Sequence, residues 1–187
     1  SDDPVRTLVI TREMGTLPFQ EYFVKYHFQP SVTGVRFAGL SRARPAPDLI
    51  EAILEADFVL LAPSNPFVSI DPILGVRGVR TALMSKLIVA VSPIVGAEAL
   101  KGPAAKMFRE LGQVPSPLAV LEHYRSLVSV FVLDEQDRDL RDSIFRMGVV
   151  PWVTNTIMRT AEERQQLADF ILHSMEQLRL PNPAARL

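Results

Sequence analysis

The chain predicts a three-layer α/β fold in which a mostly parallel sheet carries helices on both faces, and three observations lead there. Phe58-Val59-Leu60-Leu61 and Leu87-Ile88-Val89-Ala90-Val91 are apolar runs without polar alternation, the pattern of strands covered on both faces. Helical apolar spacing fills most of the intervals between such runs, which makes βαβ units. The 15 prolines fall mainly between the apolar runs, as punctuation.

In order along the chain, Leu8-Val9-Ile10 predicts a strand, Thr11 to Gly15 a loop, and Pro18 to His27 an aromatic helix. Val32 to Phe37 alternates as an edge or half-buried strand does. The basic loop Ser41-Arg42-Ala43-Arg44-Pro45 follows; its arginines can reach a phosphate or simply be solvated. Asp48 to Ala56 predicts a short helix with Leu49, Ile50, Ile53 and Leu54 inward, leading into the Phe58 strand. Pro63 and Pro66 then forbid helix and ladder alike, so a rigid turn holds Ser64 and Asn65. Ser69 is placed to cap a helix carrying Ile73, Leu74, Val76, Val79 and Leu83, with Pro72 tolerated in the first turn.

After the Leu87 strand comes a long connection, Ser92 to Pro103, and Pro103 suits the first position of a helix containing Met107, Phe108 and Leu111. Leu118 to Leu127 predicts a helix before the strand Val130 to Leu133, which empties into Asp134-Glu135-Gln136-Asp137. Leu140, Ile144 and Met147 form the next helix face, Val149 to Val153 the last strand, and Thr154-Asn155-Thr156 its loop. Thr160 and Glu163 make a capping box for a final helix with the stripe Leu167, Phe170, Ile171, Met175 and Leu178. The segment 181–187 reads as a flexible tail behind a single α/β domain over 1–180.

Ligands of open α/β sheets bind outside the carboxyl ends of the strands. With all six predicted strands in one sheet, Thr11, Ser64, Asn65, Ser92, Lys101, Asp134 and Asn155 share that rim. Backbone N–H groups at a helix start there attract phosphate, although Ser64, Asn65 and Ser69 equally suit a turn and a cap. Lys101 beside Gly102 can neutralise a diphosphate that the glycine lets the backbone approach, or be a solvated loop lysine; Lys106 is the weaker candidate. The acidic run Asp134 to Asp137 reads either as oxygen ligands for magnesium or as a solvated helix start.

Composition removes several classes of function. A balance of 20 Lys plus Arg against 21 Asp plus Glu, net charge −1, implies no nucleic-acid-binding surface. The absence of cysteine excludes disulfides, thiolate metal sites and a cysteine nucleophile, and is compatible with a reducing cytoplasm. The apolar run Leu87 to Val95 is interrupted by Ser92 and Pro93 and is too short to span a bilayer. His27, His123 and His173 show no metal spacing, and no GxSxG, GxGxxG or Walker loop is present.

PSNP followed by VSIDPIL, VSPIVGAEALKGPAAKM at Val91 to Met107, FQEYFVKY at Phe19 to Tyr26, LEHY at Leu121 to Tyr124 and VTNTIM at Val153 to Met158 together resemble the CofD family, the 2-phospho-L-lactate transferases of coenzyme F-420 biosynthesis. The resemblance runs in order from about Thr7 to about Met175, and it implies a Rossmann-like sheet. Nothing matches the glycine-rich GGxGGAK-like opening of the family, so the expectation is a fragment lacking the first βα unit and inactive alone.

For the intact protein the resemblance implies transfer of a phospholactyl or phosphoenolpyruvyl group from a guanosine diphosphate-type donor to the deazaflavin Fo, with release of guanosine monophosphate. It further implies magnesium, a homodimer and a cytoplasmic location. Ser64, Asn65 and Ser69 then fall to the donor, Lys101 and Gly102 to its diphosphate or guanosine, and Thr154, Asn155 and Thr156 to the rim of the same pocket. Two other readings stand beside it: a CofD-like regulatory protein that binds sugar nucleotides without turnover, and a structural half used for dimerisation.

Overall fold

The computed structural model describes residues 1–99, 102–124 and 126–179. Two sheets carry the architecture. Strands β1 (Arg6–Thr11), β2 (Gly15–Pro18) and β3 (Val32–Ala38) form an antiparallel sheet in the order β2-β1-β3. A helix, α1 (Leu49–Glu55), leads to β4 (Val59–Leu61), and two short helices, α2 (Asp71–Leu74) and α3 (Val79–Leu83), lead on to β5 (Ile88–Val91). A small hairpin follows, β6 (Ile94–Val95) with β7 (Glu98–Ala99). Next come α4 (Ala104–Glu110), α5 (Pro117–His123), β8 (Val130–Asp134), α6 (Arg141–Arg146), β9 (Val150–Thr154) and α7 (Ala161–Arg179).

Strands β4, β5, β8 and β9 make a four-stranded, wholly parallel sheet in that order, with Leu61 beside Ala90, Val91 beside Val132 and Asp134 beside Thr154. Its faces separate by the two-residue period of a strand. Leu61, Ile88, Ala90, Phe131 and Leu133 join one large core with Ile53, Leu74, Leu83, Phe108, Leu121 and Ile144 of α1 to α6 and with Val9 and Val32 of the antiparallel sheet. Val89, Val91, Val130 and Val132 face the other way, against Leu167, Ile171 and Met175 of α7. The sheet is therefore covered on both sides, in three layers, as its unalternating apolar runs require.

The antiparallel sheet corrects the expectation that the strands near residues 8 and 34 belong to the parallel one. Leu8 lies between Pro18 and Arg36, both antiparallel to it. Gly15, at φ +67°, turns the chain back after three residues, too short a link for a parallel crossover. The aromatic helix forms over residues 19–25, with Glu21–Lys25 wound as a π-helix, and it is ended by His27 and Phe28 at φ 45° and 48°. Thr11 consequently leaves the ligand rim: its Oγ1 donates to Gly15 O at 2.8 Å and accepts from Met14 N at 3.2 Å, closing the β1–β2 turn.

The helix expected to run unbroken from Ser69 is interrupted as well. Gly78, at φ +85°, separates α2 from α3, so Leu74, Val76, Val79 and Leu83 are buried while Ile73 is exposed. Leu54 of α1, expected inward, is exposed too. The start of α7 forms as its sequence predicts: Thr160 N donates to Glu163 Oε2 at 2.9 Å and Glu163 N to Thr160 Oγ1 at 3.2 Å. Phe170 meets Trp152 edge-on with centroids 6.2 Å apart, whereas Leu178 lies beyond the buried stripe. The 181–187 tail falls outside the described residues.

Candidate functional site

The carboxyl ends of β4, β5, β8 and β9 open onto four connections, and the one after β4 is the most constrained. Asn65 enters it at φ −61°, ψ 120°, and its Oδ1 accepts the Phe67 N–H at 3.0 Å, capping a π-helical turn, Pro66–Ile70. The cap expected at Ser69 thus sits at Asn65, because Pro66 occupies the first position of the turn and a side-chain acceptor is needed just before it. Asn65 O also receives Ser69 N at 3.0 Å and Ile70 N at 3.3 Å, and Ser64 N turns back to Ala62 O at 2.7 Å.

The backbone donors of Ser64, Phe67, Ser69 and Ile70 are therefore engaged within the bend. With α2 only four residues long, those four amides are not left free to form the expected row facing an anion. What the bend offers are the half-buried side chains of Ser64 and Ser69. It is also rigidly seated. The buried Phe67 ring stands edge-on to Phe108 of α4 at 4.7 Å and to His123 of α5 at 4.9 Å, and Asn65 Nδ2 lies 3.4 Å from Met107 Sδ.

Gly102 adopts φ +70° at an exposed position leading into α4, a conformation that favours glycine. Lys101 lies outside the described residues. Lys106 is a strut: its Nζ donates to Pro30 O at 2.9 Å and to both carboxylate oxygens of Glu110 at 2.6 Å, and Glu110 in turn accepts Val32 N at 2.8 Å. That network fastens α4 to β3. The basic loop is likewise held, by Arg44 N on Asp3 Oδ2 at 2.9 Å.

The ends of β8 and β9 form a second cluster. Asp134 is 2% exposed, and its carboxylate accepts Gln136 N at 3.0 Å, Thr156 N at 2.9 Å and Thr156 Oγ1 at 3.3 Å. Thr156 is buried with it, while Thr154 is half-buried and Asn155 exposed, the last accepting Ile157 N on its Oδ1 at 3.0 Å. Asp137 reaches the β6–β7 hairpin, where its two oxygens accept Gly96 N at 3.2 and 3.0 Å; burial raises its pKa above the usual value. Ser92 is buried, its hydroxyl donating to Ile94 O at 2.8 Å.

The residues expected to share one rim thus form two groups. Ser64, Asn65 and Ser69 follow β4, Thr154 to Thr156 follow β9, and β5 and β8 lie between them, so the groups are about 14 Å apart, three inter-strand spacings. A ligand touching both must span that distance. Asp134 is engaged by three protein donors, Asp137 holds the hairpin, and among the described residues no three His, Cys, Asp or Glu form a group able to hold a metal. A cavity of about 310 Å³ lies elsewhere, beside Val128 and Val149 at the amino ends of β8 and β9, lined also by Tyr124, Ser126 and Arg146.

Two relationships were not legible beforehand. Asp134 read as one of a solvated or metal-binding run, although its position directly behind the apolar Val130 to Leu133 was a signal of burial. His123 Nε2 and Asp71 Oδ1, 2.8 Å apart across 52 residues of sequence, left no pattern to find.

A parallel sheet with helices on both faces and its loops gathered at the carboxyl ends defines an open, three-layer α/β fold, the class whose ligands bind at that rim. The profile of the family described as "2-phospho-L-lactate transferase CofD" matches residues 1–173, and the chain belongs to this family. It is 40% identical over 172 residues to the 2-phospho-L-lactate transferase of Methanosarcina acetivorans, covering 92% of this chain and 56% of that protein. It is 39% identical over 181 residues to the enzyme of the same name from Methanopyrus kandleri, covering 95% and 57%. To the phosphoenolpyruvate transferase of Thermobifida fusca it is 38% identical over 180 residues, covering 94% and 56%.

The chain therefore spans just over half the length of these relatives. Among solved structures it resembles a protein of the UPF0052 family, BH3568 from Bacillus halodurans, with a TM-score of 0.59 at 13% identity, covering 90% of this chain and 58% of that one. At that identity the likeness concerns the fold. Among the described residues no helix is long and apolar enough to cross a membrane.

Proposed function

We propose that this chain contributes the donor-binding part of a transferase that moves a phospholactyl or phosphoenolpyruvyl group from a guanosine diphosphate-type donor to the deazaflavin Fo. The observation that carries the reading is about 40% identity over nine-tenths of the chain to enzymes named for this transfer, with the matched span including the whole carboxyl rim. A ribityl hydroxyl of Fo attacks the phosphorus bearing the lactyl or enolpyruvyl unit. The bond from that phosphorus to the bridging oxygen breaks, guanosine monophosphate leaves with the electron pair, and the hydroxyl proton is lost.

Such in-line displacement needs positioning and charge neutralisation more than covalent help. Ser64 and Ser69 on the rigid bend, with Gly102 and Lys101, serve the donor's diphosphate side. Thr154 and Asn155 serve the far end of the nucleotide, and Asn65 and Thr156 hold the two loops in shape. Magnesium belongs to the reading as the donor's partner; Asp134 and Asp137 do not fit it, and no step here runs through a metal. A homodimer in the cytoplasm is part of the same proposal.

Calorimetry of the full chain with guanosine diphosphate, a uridine diphosphate sugar and Fo tests it. Binding of the guanosine compound is the expected result. Binding of the uridine compound alone rejects the transferase in favour of a sugar-nucleotide-binding regulator, and binding of none leaves a structural half.

A further inference from the structure

The bend after β4 owes its position to a contact that the proposed chemistry does not use. Phe67, at its centre, is clasped between Phe108 and the imidazole of His123, 4.9 Å away at 77°. The same imidazole is fixed from the other side: Nε2 lies 2.8 Å from Oδ1 of Asp71, the first residue of α2 and the residue on which the bend ends. His123 is itself the last residue of α5, and its ring also meets the buried Tyr124 at 5.5 Å. One side chain therefore touches the bend twice, once through an aromatic ring and once through a hydrogen bond. Its own place is set by a different helix.

We infer that His123 is a positioning residue for the Pro63–Ser69 bend, setting through Asp71 and Phe67 where the Ser64 and Ser69 hydroxyls stand; the consequence for donor binding rests on the function proposed above. An aromatic contact alone leaves a ring free to slide in its plane, whereas a directional hydrogen bond fixes that degree of freedom. Side chains that hold a binding group from behind set its geometry to fractions of an ångström, and a shift of about 1 Å is enough to weaken a site severely.

The test uses the full chain and three variants. His123→Phe keeps a ring against Phe67 and removes the donor; Asp71→Asn keeps the shape and removes the charged acceptor; His123→Gln restores a donor near the position of Nε2. The readouts are amide resonances of Ser64, Asn65 and Ser69 without ligand, the melting temperature, and affinity for guanosine diphosphate. His123→Phe is expected to move the three amides and weaken nucleotide binding by about tenfold, Asp71→Asn, which keeps a neutral acceptor oxygen, to move them in the same direction by less, and His123→Gln to return both towards the parent. Where His123→Phe does not fold, Asp71→Asn and His123→Gln decide. Unmoved amides with only a changed melting temperature overturn the inference. If the parent fails to bind the nucleotide, the functional proposal falls and the amide shifts still judge His123.

Discussion

Asp134 and Thr156, 22 residues apart, are joined by two hydrogen bonds, from the Thr156 N–H at 2.9 Å and its hydroxyl at 3.3 Å. The first residue past the β8 core thereby fixes the loop past β9. Both partners are almost fully buried, so the pair is shielded from water and each member depends on the other.

Replacing Asp134 by alanine leaves the Thr156 and Gln136 amides without their acceptor. Gln136 is exposed and its amide can turn to water, whereas leaving the buried Thr156 donor unsatisfied costs about 1–3 kcal/mol, so chemical denaturation of Asp134→Ala is expected to show a loss of about that size. Asp134→Asn, which retains one acceptor oxygen, falls between it and the parent.

The Thr160–Glu163 box starts the helix whose Leu167, Ile171 and Met175 cover the Val89, Val91, Val130 and Val132 face. Thr160→Ala is expected to lose about 1 kcal/mol, read as a shift of the urea midpoint without a change of slope.

Asp137 carries a pH signature. Burial raises its pKa above 3.8, so the neutral form is favoured in the folded chain, and its stabilising contribution is present below 3.8 and fades as pH rises through the folded value. Asp137→Asn does not titrate. The stability of the parent relative to this variant should therefore fall as pH is raised from the ordinary aspartate value into the weakly acid range, measured by denaturation at a series of pH values; a difference independent of pH contradicts the assignment.

Ser64 and Ser69 contribute hydroxyls to the donor in this account, whereas Ser116 caps α5 by accepting Ala119 N at 3.1 Å. The double variant Ser64→Ala/Ser69→Ala is expected to weaken guanosine diphosphate binding about tenfold or more with little loss of stability. Ser116→Ala is expected to do the reverse, losing about 1 kcal/mol of stability with unchanged affinity by calorimetry.

The parallel sheet was readable because burial on both faces writes an unbroken apolar string, as at Leu87 to Val91, and the last helix because the Thr160–Glu163 box marks its start. The antiparallel sheet was not, since its layout depends on the reversal at Gly15, at positive φ, after only three residues. At the site, the prolines announced a bend, but Pro66, expected to forbid helix, opens the π-helical turn because its missing N–H costs nothing at a first helical position. Sequence could not show that its amides close on Ala62 and Asn65, that Asp134 is buried beneath Thr156, or that His123 meets Asp71, because each depends on which groups the fold brings together.

Hydrogen exchange of the full chain with and without guanosine diphosphate tests the central claim most directly. The account predicts slowed exchange confined to the residues around Ser64–Ile70 and Thr154–Thr156. Protection concentrated instead around the cavity between Leu121 and Val149, with the bend unaffected, would contradict it.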